Sequence, residues 1–173
     1  NAHKVVELRE ILADTLAELD LQLVGLAEFP NVPDVVEDGV TFAENALLKA
    51  RAVAAATGLP ALADDSGLAV DVLGGAPGIF SARWSGRHGD DRANLELLLA
   101  QLADVRDEHR CAGFVCAAAL VLPDGRWHVE EGVFRGTLTR EPRGSNGFGY
   151  DPILLVEGDT RTSAELSPAE KNA

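Results

Sequence analysis

The sequence predicts an α/β fold, and three observations carry that reading. Segments with helical apolar spacing alternate with short extended runs along the 173 residues. The best-marked helix, residues 41–57, opens on Thr41 and Glu44 at capping-box spacing and closes on Gly58, with Pro60 just beyond. Residues 112–122 are apolar at both parities, as expected of a central strand covered on two faces. A chain of this length fits one domain with a sizeable core.

In order along the chain, residues 1–19 place Val5, Leu8, Ile11, Leu12, Leu16 and Leu19 at helical spacing. Asn1 is a candidate N-cap, and with Lys4 it flanks the positive end of that helix, a ready anion site. A capped surface helix with a solvated lysine fits the same residues. Residues 21–26 read as a short alternating strand. Residues 27–40, with Pro30, Pro33 and Gly39, read as a loop. It carries Glu37 and Asp38, which are solvated acids unless the loop folds over other carboxylates. In the helix at 41–57, Phe42, Ala46, Ala50, Val53 and Ala54 form the apolar face. Asn45 and Lys49 share a different stripe one turn apart, which gives Lys49 a fixed base from which to reach a neighbouring cleft.

Residues 61–63 read as a buried strand that delivers Asp64-Asp65-Ser66-Gly67. Gly74-Gly75-Ala76-Pro77-Gly78 is a tight connection, and residues 79–84 resume an extended run. A third helix covers 90–103, with Leu95, Leu98, Leu99 and Leu102 at helical spacing. After the central strand, Pro123-Asp124-Gly125 turns the chain into a hairpin partner at 127–138. Ser167-Pro168-Ala169-Glu170 is a second capping box with proline at the first helical position, and Lys171 follows it.

The composition excludes several classes. A formal net charge of −13 argues against non-specific nucleic-acid contact, which rests on neutralising phosphates with Lys and Arg. No apolar run reaches the ~18 residues of a membrane span and no signal segment opens the chain, so a cytoplasmic protein is expected. Cys111 and Cys116 lie in one extended run, ~16 Å apart at ~3.3 Å per residue. That is beyond the ~7 Å reach of a disulfide, and they read as reduced core residues. His3, His88, His109 and His128 share no metal-ligand spacing, which argues against zinc. Of 15 basic residues only Lys4, Lys49 and Lys171 are lysines. A chain that otherwise uses arginine keeps a compact ammonium where geometry demands a point charge, as at a phosphate, although accidents of composition explain the count equally well.

Asp64 and Asp65 are the chemical centre of the sequence. Adjacent carboxylates repel unless a cation, a proton or solvent relieves them. A divalent metal is one answer; a hairpin turn with solvated acids is another, since Asp, Ser and Gly all form turns. On a strand the two point to opposite faces. One is then expected in a cleft as base and ligand, with the other a secondary ligand or a structural acceptor. Further on, Phe148 sits between Gly147 and Gly149. It either packs over the core edge or serves as a stacking platform for a planar ligand. Asp151, fixed by Pro152, can accept hydrogen bonds from a base edge.

Together these stretches resemble the inosine triphosphate pyrophosphatase family, which hydrolyses non-standard purine nucleoside triphosphates. The matching residues are Asn1-Ala2-His3-Lys4, Glu37, residues 39–46 with Lys49-Ala50, residues 62–70 and 74–83, Gly147-Phe148-Gly149-Tyr150-Asp151-Pro152, and Ala164-Glu165-Leu166 with Lys171. The resemblance implies an elongated three-layer α/β/α fold on a mixed central sheet, with the nucleotide in a cleft between two lobes. It implies Asp65 as catalytic base and Glu37, Asp64 and Asp65 as a Mg2+ site. Asn1, Lys4, Lys49, Lys171 and Ser66 become triphosphate contacts. Phe148 with Gly149 and Tyr150 becomes the base platform, and Asp151 the reader of the purine edge. It further implies a homodimer.

The family begins with a buried strand and a Thr-Gly or Ser-Gly turn before the position of Asn1, and continues past Lys171 into a Ser-His-Arg segment and a last helix. The expectation is therefore one pyrophosphatase domain over residues 1–173 that lacks those two pieces. Two other classes fit parts of the sequence. One is a pyrophosphatase for modified pyrimidine or methylated nucleotides. The other is a non-catalytic acidic domain that binds a metal or a protein, which leaves Lys4, Lys49 and Phe148 unexplained.

Overall fold

The computed structural model describes residues 2–173; Asn1, expected as an N-cap and triphosphate contact, lies outside the described residues. The first helix is two: α1 (Ala2–Ile11) and α2 (Ala13–Glu18). They meet at Leu12, whose ψ of 5° leaves the helical range while its N–H and C=O still bond Leu8 and Leu16. Residues 21–26, expected as a strand, join no ladder among the described residues and end in a 3-10 turn at Leu26–Glu28. The alternating pattern there finds no partner edge; instead Arg9 Nε donates to the Leu23 carbonyl at 2.8 Å.

Helix α3 (Phe42–Thr57) follows its sequence signals closely. Thr41 Oγ1 accepts the Glu44 N–H, and Gly58 closes the helix in the left-handed conformation at φ 69°. The return half of the expected capping box differs, because Glu44 Oε2 accepts the N–H of Val40.

The sheet comprises β1 (Ala61–Val70), β2 (Cys111–Val121), β3 (Trp127–Leu138) and β4 (Leu154–Val156), in chain order and antiparallel throughout. A mixed sheet was the expectation. The difference has a local cause: residues 21–26 supply no strand that could add a parallel ladder, and each described strand pairs with its neighbour in sequence. β1 is also far longer than the three residues expected. It pairs with β2 from Ala61↔Val121 to Val70↔Ala112, so Asp64 and Asp65 sit inside a strand and the hairpin-turn reading falls.

Opposite parities of β1 feed two cores, which makes the α/β/α layering. On one face Ala46, Ala50 and Ala54 of α3 pack on Ala61, Ala117, Ala119 and Val121, small side chains that let helix and sheet approach closely. On the other, Leu68, Val70, Ala112 and Leu138 pack with Leu95, Leu98 and Leu102 around α4 (Asp91–Gln101), and with Tyr150, Ile153 and Leu154. Arg110, 1% exposed, seals that second core. It donates to the carbonyls of Leu138 (2.9 Å), Leu102 (2.6 Å) and Thr139 (3.0 Å), closing the end of α4.

Residues 79–84, expected as extended, form a 3-10 turn at Gly78–Arg83. Ser81 Oγ donates to the Gly78 carbonyl at 2.6 Å and accepts the Leu68 N–H at 2.9 Å, so the turn closes onto β1. Gly67 makes this possible: a Cβ there would meet the Gly78 carbonyl oxygen at 2.5 Å and Ser81 Oγ at 2.6 Å. Short α5 (Pro168–Asn172) carries the expected Ser167–Glu170 capping box. No described helix is long and apolar enough to cross a membrane.

Candidate active site

β1 carries the two aspartates past two different helices. Asp64 Oδ2 is in contact with Lys4 Nζ of α1. Asp65 projects from the other parity, toward α3, where Lys49 Nζ lies 3.7 Å from its Oδ1. Lys49 Nζ also pairs with Glu37 Oε1 at 2.7 Å, so this one ammonium joins Glu37 to Asp65. Glu37 is brought there by Asn45, 2% exposed on α3, whose Oδ1 accepts the Gly39 N–H at 2.9 Å and pins the loop to the helix. The spacing of Asn45 and Lys49 was legible; the bond to Gly39 was not.

Asp65 is electrostatically unusual. Its side chain is only 14% exposed. Oδ1 accepts the Ser66 N–H at 3.1 Å, but Oδ2 is buried with no hydrogen-bond partner among the described residues. Burial pushes the carboxyl above its usual range; Lys49 and the nearby Asn45 side chain pull it down, and Glu37 pushes it up. A buried carboxylate oxygen left unpaired is costly, and it marks a place where a proton, a water or a cation belongs. The orphaned Oδ2 and an all-oxygen donor set fit a hard divalent cation held by Glu37 and Asp65. Asp64 does not join them, and the three carboxylates form no single metal-binding cluster among the described residues.

Ser66 lies opposite Cys116 in the β1–β2 register, on the same side of the sheet as Asp64. Cys116, expected in the core, is exposed. The same parity of β2 leads on to Phe114, and there the second cluster begins.

Phe148 is 63% exposed, so the core-packing reading fails and its ring is available as a platform. Lys171 Nζ from α5 lies 5.7 Å from the centre of that ring and 5.8 Å from that of Phe114. Both oxygens of Asp151 take Lys171 Nζ, at 2.9 and 2.8 Å. Asp151 is 1% exposed and also accepts the Ser163 hydroxyl at 2.6 Å and the Phe148 N–H at 2.9 Å. Where the sequence suggested a reader of a base edge, the structure places a buried carboxylate whose oxygens are taken up in holding Phe148 and Lys171. Gly147 wraps so tightly around it, at φ 72°, that a Cβ would run into the Asp151 carboxylate.

Tyr150 is likewise turned inward. It is 5% exposed, its hydroxyl donates to the Ser81 carbonyl at 2.8 Å, and burial raises its phenol well above the ordinary range. It anchors the loop from below. Ser81 thereby ties the strand of the aspartates to the loop of Phe148, a link that no spacing in the sequence announces. Ser163 was missed for the same reason.

Comparison with known proteins finds relatives over the whole chain. A family model described as the Ham1 family matches residues 1–173. The dITP/XTP pyrophosphatase of Streptomyces avermitilis is 70% identical over 173 residues, which span 100% of this chain and 86% of that protein. Among solved structures, the nucleoside-triphosphatase / dITP/XTP pyrophosphatase of Mycobacterium abscessus matches with a TM-score of 0.85 at 52% identity, over 99% of this chain and 87% of that one. A HAM1 protein of Coxiella burnetii matches with a TM-score of 0.89 at 45% identity, over 99% and 86%.

Proposed function

The chain belongs to the Ham1 family, and on that premise we propose that it hydrolyses non-standard purine nucleoside triphosphates, dITP, ITP and XTP, to the monophosphate and pyrophosphate, as a single domain over residues 1–173. The observation that carries the reading is Asp65: a carboxylate only 14% exposed with an unpartnered Oδ2, set against Lys49 and Glu37.

In this reading Asp65 Oδ2 takes the proton of the water that attacks the α-phosphorus. The new bond is water oxygen to α-phosphorus, and the bond that breaks joins the α-phosphorus to its bridging oxygen, which leaves with pyrophosphate. Lys4 and Lys49 offset the triphosphate charge, local cations in a protein of net charge −13, and Asn1 and the Ser66 hydroxyl serve as neutral hydrogen-bonding contacts to its oxygens. Phe148 offers its ring to the base, and Lys171 Nζ lies over that ring, 5.7 Å from its centre. Glu37 and Asp65 are the residues that would hold Mg2+, which when bound would neutralise phosphate charge and lower the pKa of water. A cytoplasmic homodimer is the proposed working form. Exposed Val6, Leu21, Leu62 and Leu120 supply apolar surface for a partner.

The test is a four-nucleotide comparison. Pyrophosphate release from dITP and XTP is expected to exceed that from dATP, because a site that pairs with a 6-oxo purine leaves polar groups unpaired against the 6-amino group of adenine. It is expected to exceed that from dGTP, which shares the 6-oxo group, only where the site excludes the 2-amino group of guanine. Equal rates on all four would reduce the assignment to a general nucleotide pyrophosphatase.

A further inference from the structure

We infer that Asp91, in the first turn of α4, is a positioning residue that sets the height of the Phe148 ring through the Gly149 amide. The inference rests on the proposed pyrophosphatase reading, in which that ring stacks on the base.

Phe148 makes little use of packing, being 63% exposed, so the position of its ring follows from its backbone. That backbone is a turn with two left-handed glycines, Gly147 at φ 72° and Gly149 at φ 58°. Glycine lowers the cost of such a turn but also leaves it free to move. The turn is fixed from two sides. From within, the Phe148 N–H goes to Asp151 Oδ2 at 2.9 Å. From outside, the Gly149 N–H goes to Asp91 Oδ2 at 3.0 Å, a partner 58 residues away on another element. The first bond holds the turn's shape. The second adds to the Tyr150–Ser81 anchor a tether from α4, which Leu95 and Leu98 lock into the second core.

Asp91 is not needed to cap its own helix. Asp90 does that, its Oδ1 accepting the Ala93 N–H at 3.2 Å. An acid in the first turn also suits the helix dipole. The dipole explains an acidic residue there; it does not explain a carboxylate oxygen aimed at the amide of a distant loop. Removing Asp91 therefore leaves the cap, the core and the remaining loop bonds in place, and releases one restraint on the stacking platform.

The experiment compares Asp91→Ala and Asp91→Asn with the unsubstituted protein. Loss of one charge-assisted hydrogen bond is expected to raise KM for dITP about fivefold with kcat within about twofold. The inhibition constant of inorganic tripolyphosphate, which has no base to stack, stays unchanged. Asp91→Asn keeps a carbonyl acceptor and recovers most of the KM. Exchange of the Gly149 amide with solvent, followed by NMR, speeds up in Asp91→Ala. An unchanged KM, a tripolyphosphate constant that rises in step, or an Asn variant as impaired as the Ala variant overturns the inference. Should the unsubstituted protein release pyrophosphate from none of the four nucleotides, the pyrophosphatase reading fails on its own. Gly149 exchange then judges the tether, and equal rates with and without the Asp91 carboxylate overturn it.

Discussion

Asp64 and Asp65 are neighbours on β1, yet the ammonium groups that meet them come from different helices, Lys4 of α1 on Asp64 and Lys49 of α3 on Asp65. Alternation along a strand splits the pair, and with it the roles that two adjacent carboxylates could share. Of the two, only Asp65 keeps a buried oxygen without a partner among the described residues.

Asp65→Asn should therefore lower pyrophosphate release from dITP by ~10²–10⁴-fold, the usual worth of a positioned general base. Circular dichroism should be unchanged, since the amide fills the same space. Turnover within about tenfold of the unsubstituted protein would remove Asp65 from that role.

Chelation should stop the reaction without unfolding the chain, because neither core contains the carboxylates. Activity is expected to vanish in excess EDTA and return with Mg2+. Adding Mg2+ to the stripped protein should raise its melting temperature, as any ligand of the native state does. Full activity in EDTA would contradict the assignment of Glu37 and Asp65.

Gly147→Ala and Gly58→Ala separate backbone strain from local crowding. Both positions are left-handed, at φ 72° and 69°, but a Cβ on Gly58 meets nothing while one on Gly147 displaces the Asp151 carboxylate. Each change carries a backbone cost of about 1–2 kcal/mol. Gly147→Ala should lose more stability in urea than Gly58→Ala, and it alone should raise KM for dITP. Equal behaviour of the two variants would mean that Asp151 does not hold the Phe148 turn.

Arg110→Leu takes the guanidinium donor from the carbonyls of Leu102, Leu138 and Thr139, of which Leu102 keeps the Val105 N–H. The expected loss is about 3 kcal/mol, since three hydrogen bonds from a charged donor go at once. Urea denaturation with an unchanged slope measures it. A loss below about 1 kcal/mol would show that water or a shifted backbone satisfies those groups.

Much of this protein was legible in advance because its signals are local. Thr41 with Gly58 bounded α3, Ser167 with Pro168 and Glu170 started α5, and both-parity apolar residues identified β2 as a covered strand. Residues 21–26 and 79–84 failed for the opposite reason. A short apolar run is compatible with several backbones, and the choice fell to partners far away: Arg9 beside Leu23, and Ser81 against Leu68.

The sequence by itself determined which chemical groups are present and how each is mounted: two acids on a strand, a lysine one turn from an asparagine on a capped helix, an aromatic between glycines. Those are consequences of periodicity and capping, which act over a few residues. Tertiary structure alone decided which groups meet. It gave Lys4 to Asp64 and Lys49 to Asp65 with Glu37, turned Asp151 and Tyr150 inward to hold the loop, and left Phe148 outside. Burial and charge pairing between residues tens of positions apart make those choices, and no local pattern encodes them.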